Sequence, residues 1–169
     1  SVLSNVVTLE FDEPISHLDY ELNFRISQLR AISSYASTDC TVRDRGFASD
    51  ISCNFTGISG PENLLRLDFD TRDGFMRSEE LNQLNVNYGV ALPVKNAFIS
   101  LRLPEGGVLS DEVANMSFLP RDGTVFSDGR RIGISWERND IALADSLQFS
   151  VIYSLPPAGF FSDPAFLVI

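Results

Sequence analysis

Apolar and polar residues alternate with a period of two along most of this chain, and that pattern leaves few folds open. Val7, Leu9 and Phe11 alternate with Thr8 and Glu10, and Leu18, Tyr20, Leu22, Phe24 and Ile26 alternate with Asp19, Glu21, Asn23 and Arg25. The same rhythm runs through residues 65–69, 84–92, 97–103, 132–136 and 147–153. Successive side chains of a strand point to opposite faces, so each run buries one face and wets the other. Helical signals are brief by comparison. Residues 78–84, with Ser78 as N-cap and Glu79 and Glu80 in the first turn, and residues 110–115 each allow a turn or two, too little to cover a sheet. The expectation is an all-β protein, a single antiparallel β-sandwich over residues 1–169, Ig-like or jelly-roll-like, with at most short helical turns.

Turn chemistry agrees with this. Ser127-Asp128-Gly129-Arg130 reads as a hairpin turn, with glycine supplying positive φ. Arg45-Gly46 separates two segments that each carry a cysteine. If residues 41–43 pair antiparallel with residues 50–52, Cys40 and Cys53 fall opposite each other, within disulfide reach. These are the only cysteines, which fits one bond and an oxidising compartment. A sequon, Asn54-Phe55-Thr56, follows Cys53 directly, and a second, Asn115-Met116-Ser117, lies further on. Asn54 and Asn115 are therefore candidate glycosylation sites, and both belong to an exported surface.

Charge narrows the partners. A net charge of −10 argues against nucleic acid, whose phosphates demand a basic footprint. It argues equally against adsorption to an anionic membrane. No stretch of about 20 apolar residues is present. Ser1 running into Val2-Leu3 reads as a processed N-terminus. Residues 156–169 read as a stem or a terminal strand, or as the approach to a C-terminal membrane anchor beyond Ile169.

Candidate chemistry is sparse. A Ser/His/Asp triad would have to use His17, the single histidine, and no G-x-S-x-G elbow accompanies it. Asp68, Asp70 and Asp73, with Glu79 as a distal ligand, form a weak calcium candidate. Arg72 occupies the place of a ligand there, and Gly74 is one position late for an EF-hand. Two cysteines and one distant histidine do not make a zinc site. The expectation is a chain with no metal, no cofactor and no enzymatic activity.

Leu101-Arg102-Leu103-Pro104-Glu105-Gly106-Gly107, Leu119-Pro120, the segment from Phe126-Ser127-Asp128-Gly129 to Ile132, Ile134-Ser135-Trp136 and Phe149-Ser150-Val151-Ile152-Tyr153 together resemble the extracytoplasmic β-sandwich domains of uncharacterised archaeal surface and membrane proteins. The likeness covers about a third of the chain and consists of turn and core residues. It implies an architecture and a cell-surface location, in proteins that usually carry a signal peptide and a C-terminal membrane helix. It implies no activity, and the cysteine hairpin is not part of it.

Two functions follow as expectations. The first is an exported, non-enzymatic structural protein of the cell surface, an ectodomain or a filament or pilus subunit assembled by strand addition to other copies of itself or to another surface protein. The candidate donor strand is N-terminal: Val2, Val6, Val7, Leu9 and Phe11. The second is an extracellular binding or adhesion module for a glycan or a surface protein. Phe98, out of phase with Ile99 and Leu101, is the candidate exposed aromatic, whereas Trp136 is in phase with the core.

Overall fold

A computed structural model describes residues 2–58, 60–71, 75–77, 81–90, 92–110, 117–143 and 145–156. These contain fourteen strands and no helix. They are β1 (Leu3–Phe11), β2 (His17–Leu22), β3 (Ile26–Ser33), β4 (Tyr35–Asp44), β5 (Ser49–Ile58), β6 (Asn63–Thr71), β7 (Phe75–Arg77), β8 (Leu81–Val90), β9 (Val94–Arg102), β10 (Val108–Leu109), β11 (Phe118–Leu119), β12 (Thr124–Ser127), β13 (Ile132–Ile141) and β14 (Ser146–Ser154).

All pairings are antiparallel, and they build two sheets that pack face to face. Sheet I has the order β12-β13-β9-β1-β6-β3. Sheet II has the order β10-β14-β8-β2-β5-β4, with β11 beside β14 and β7 beside β8. The pairs β1·β9, β2·β8, β3·β6 and β4·β5 nest inside one another, like a hairpin ribbon rolled over itself. Contacts β1·β6 and β2·β5 then close each sheet.

The core follows the period-two pattern. Leu3, Val7, Leu9 and Phe11 of β1 are buried, as are Leu65, Leu67 and Phe69 of β6 and Ile99 and Leu101 of β9. Sheet II contributes Leu18, Tyr20, Leu22, Ile51, Cys53, Phe55, Leu84, Val86, Tyr88, Phe149, Val151 and Tyr153. Burying an aliphatic or aromatic side chain of this kind contributes about 1.5–3 kcal/mol each. Trp136 is in the core, edge-on to Phe118, 4.7 Å from Phe149, with its Nε1–H donated to the Pro120 carbonyl at 2.9 Å.

Both hairpin turns form as their residues dictate. Gly129 has φ 87°, and the Asp128 carboxylate accepts the backbone N–H groups of Arg130 and Arg131 at 3.0 and 2.8 Å. Gly46 has φ 86°, and Asp44 Oδ1 accepts its N–H at 2.6 Å. Residues 41–43 pair with 50–52, Cys40 stands opposite Cys53, and the two are joined in a disulfide.

Two local expectations need correction. The run from Leu18 to Ile26 is not one strand: β2 ends at Leu22, and β3 begins at Ile26 in the other sheet. Phe24 still points into the core, so the chain crosses between sheets without losing its rhythm. Residues 81–84, read as the end of a helical turn, belong to β8; residues 78–80 and 111–116 lie outside the described residues. A helix at 81–84 would have left the Val151–Ser154 end of β14 without its β8 partner, whereas the strand pairs β14 continuously from Leu81 to Gly89.

Candidate functional site

The outward face of sheet II carries a broad depression. Its rows can be read across the strands from the register. Ser146 lies beside Gly89, Gly89 beside Glu21, Glu21 beside Asp50, and Asp50 beside Arg43. One step along, Asp19 lies beside Ser52, and Ser52 beside Thr41. Small residues in the middle, Gly89, Ser146 and Ser52, leave a floor, and longer side chains rise around it. The result is a basin of about 750 Å³, walled by Asp19, Glu21, Asn23, Arg43, Arg45, Asp50, Asn87 and Asp145.

Arg45 organises one wall. Its Nε lies 2.6 Å from Asp50 Oδ2, and its Nη1 lies 4.0 Å from Glu21 Oε1. On another side, Asn23 Oδ1 accepts the Asn87 backbone N–H at 3.0 Å. Asn87 Oδ1, a buried acceptor, has no partner there. Gly89 has ordinary backbone geometry, and a Cβ built on it would have Glu21 Cβ as its nearest neighbour at 3.8 Å. The floor is thus open for lack of a side chain, and not because the backbone requires glycine. Tyr20 passes beneath the basin, but its ring is fully buried, so the wall chemistry is that of amides, carboxylates and guanidinium groups.

Beside the basin, His17 stands between two oxygens: Nδ1 lies 2.9 Å from Asn54 Oδ1, and Nε2 lies 3.1 Å from Asp19 Oδ1. Only the imidazolium offers an N–H to both. The Asn54 hydrogen bond first, then Asp19, raises the His17 pKa above its ordinary value. Asn54 is thereby held on the exposed outer face of β5, with Thr56 two residues on along the same face.

The other sequence candidates are scattered. Asp68 and Asp70 lie on the outer face of sheet I, where Arg66 grips Asp68 at 2.7 and 3.1 Å. Asp73, Glu79 and Asn115 lie outside the described residues, and among the described residues no cluster of His, Cys, Asp or Glu is arranged to hold a metal. Phe98 faces outward and is 37% exposed, beside a shallow groove of about 360 Å³ lined by Thr8, Glu10, Asn96 and Glu137. The N-terminal strand has a partner on each side, with Val7 between Leu67 and Ile99. Val7, Leu9 and Phe11 point into the core, Val6 lies on the outer face, and Val2 precedes the strand.

The basin itself was missed in the sequence. Its one local signal is Gly89, an interruption at a polar position of an alternating run. The walls come from strands far apart in the chain, and only their register brings them together. No family model, no curated protein and no solved structure matches this chain.

Proposed function

We propose that this chain is an extracytoplasmic binding module, and that its basin on sheet II takes a polar, polyhydroxylated ligand of the carbohydrate class. The observation that carries the reading is the basin: a concave floor of small residues ringed by donors and acceptors from four strands and three loops. Sugar hydroxyls both donate and accept, and neighbouring amides, carboxylates and guanidinium groups match them in that way. The Cys40–Cys53 disulfide supports an oxidising location, and the exposed Asn54 sequon fits the same surface.

Without an exposed ring on the floor, affinity comes from hydrogen bonds alone. A few of them at about 1 kcal/mol net each correspond to a Kd on the order of 1 mM. Such a module works through many copies on one surface. The test is a titration of the labelled protein with neutral oligosaccharides, followed by backbone amide NMR. Shifts should concentrate at Gly89, Asn87, Ser52 and Glu21. Gly89→Leu fills the floor without strain, and it should weaken binding at least tenfold while leaving the melting temperature unchanged or higher. Shifts confined to the groove beside Phe98, or none at all, would overturn the assignment.

A structural role at the cell surface draws support from a different observation, the open edge of β4. Donation of the N-terminal strand would require it to leave two neighbours, so an assembly reading rests better on that edge.

A further inference from the structure

Strands at the ends of a sheet expose unpaired backbone groups, and proteins usually blunt such edges. Among the described residues the two sheets have four ends, and three of these are blunted. β10 has two residues and β12 has four. β3 is interrupted by a bulge between Ser27 and Arg30, where Gln28 adopts φ 55°. The fourth end, β4, is ten residues long, keeps one register with β5 throughout, and contains neither proline nor lysine. Near its start, Ser33 reaches over to bond Thr38, so the open stretch runs from about Thr38 to Asp44.

The direction of its free backbone groups follows from the disulfide pair. Cys40 and Cys53 have their Cα atoms 4.1 Å apart, the spacing of a non-hydrogen-bonded pair. Cys40, and by alternation Thr38, Val42 and Asp44, therefore direct N–H and C=O away from β5. The side chains of the stretch are self-complementary about Thr41. With a two-fold axis there, Asp39 stands opposite Arg43 of a second copy, and Arg43 opposite its Asp39. Both side chains are exposed, and neither has an ion-pair partner among the described residues. The same register sets Cys40 against Val42, a pair whose backbone groups all point across the edge. It covers Val42, which is 41% exposed, and carries the 79% exposed Phe47 at the hairpin tip toward the Tyr35 end of the other copy.

We propose that β4 is a self-association edge, and that it pairs antiparallel with β4 of a second copy about Thr41, fusing two copies of sheet II into one continuous sheet. The disulfide, at the middle of the docking stretch, fastens the edge strand to β5 and presents it in a fixed conformation, which lowers the entropy cost of association. The two basins would then open on the same continuous face. The inference is independent of what those basins hold.

Sedimentation equilibrium of the oxidised protein over a wide concentration range tests this. The mass should rise from 18.7 kDa toward twice that value, and association should weaken with added salt. Val42→Pro removes an outward N–H that β5 does not use, and it should leave a folded monomer. Asp39→Arg places like charges across the axis and should also give a monomer. Asp39→Arg combined with Arg43→Asp restores the complementarity and should restore the dimer. A wild-type monomer at every concentration, a dimer that persists in Asp39→Arg, or a double variant that stays monomeric would overturn the proposal.

Discussion

Inside the sandwich, two tyrosines differ by a single partner. Tyr88 donates its hydroxyl to Asn5 Oδ1 at 3.4 Å, and Asn5, 1% exposed, donates in turn to the carbonyls of Leu3 and Phe69. The Tyr20 hydroxyl is buried without a partner, and burial pushes its pKa well above the ordinary value. An unmade buried hydrogen bond costs about 1–3 kcal/mol. Tyr20→Phe should therefore stabilise the fold in urea denaturation, by about 1 kcal/mol, while Tyr88→Phe should destabilise it by a similar amount. A loss from Tyr20→Phe would mean that the hydroxyl has a partner after all. On the surface, the His17 pKa is raised, so its contribution to stability is present below the ordinary value near 6.5 and is lost as pH rises through the folded value. The His17 imidazole should titrate above 6.5 by NMR. His17→Gln should remove that part of the pH dependence of the melting temperature. A midpoint at or below the ordinary value would mean that the Asn54 and Asp19 contacts do not hold in solution.

Among the elements, β4 depends most on a single fastening. After Tyr35 its side chains are exposed or only partly buried, so it shares less of the core than its neighbours, and the disulfide ties it to β5. The bond spans 13 residues, and closing a loop of that size contributes about 3 kcal/mol. The double variant Cys40→Ala, Cys53→Ala should lose about that much, seen as a melting temperature lower by roughly 6–12 °C. An unchanged melting temperature would show that β4 is held by its hydrogen bonds alone. This pairing was legible in the sequence, because Arg45-Gly46 marks the turn and equal arms place the cysteines opposite each other. The break at Leu22 was not, because Phe24 keeps the alternation going while the backbone leaves one sheet for the other. Nor was β8 legible at its start: Leu81-Asn82-Gln83-Leu84 suits a helix locally and becomes a strand because β14 lies alongside it.

Across the whole molecule, chain neighbours are rarely sheet neighbours, and β1 is where this matters most. It sits between β6 and β9, which lie far from it in the chain, and it seats Leu3, Val7, Leu9 and Phe11 in the core. Deleting residues 1–11 should therefore unfold the protein, with loss of the strand signal in circular dichroism, instead of leaving a folded subunit that merely fails to assemble. A folded truncated chain would show that another segment can take the β1 slot, and it would return the N-terminal strand to consideration as a donor. The alternating pattern by itself determined the all-β class and the inward residues of seven of the fourteen strands, β1, β2, β6, β8, β9, β13 and β14, and the Arg45-Gly46 turn placed the cysteine hairpin, because strand periodicity and a short turn are local. The tertiary structure alone decided which strands are neighbours, and with them the basin around Gly89 and the open edge of β4. Period two says which face a side chain takes, but not which strand lies beside it, and that choice is made by the packing of two sheets against each other.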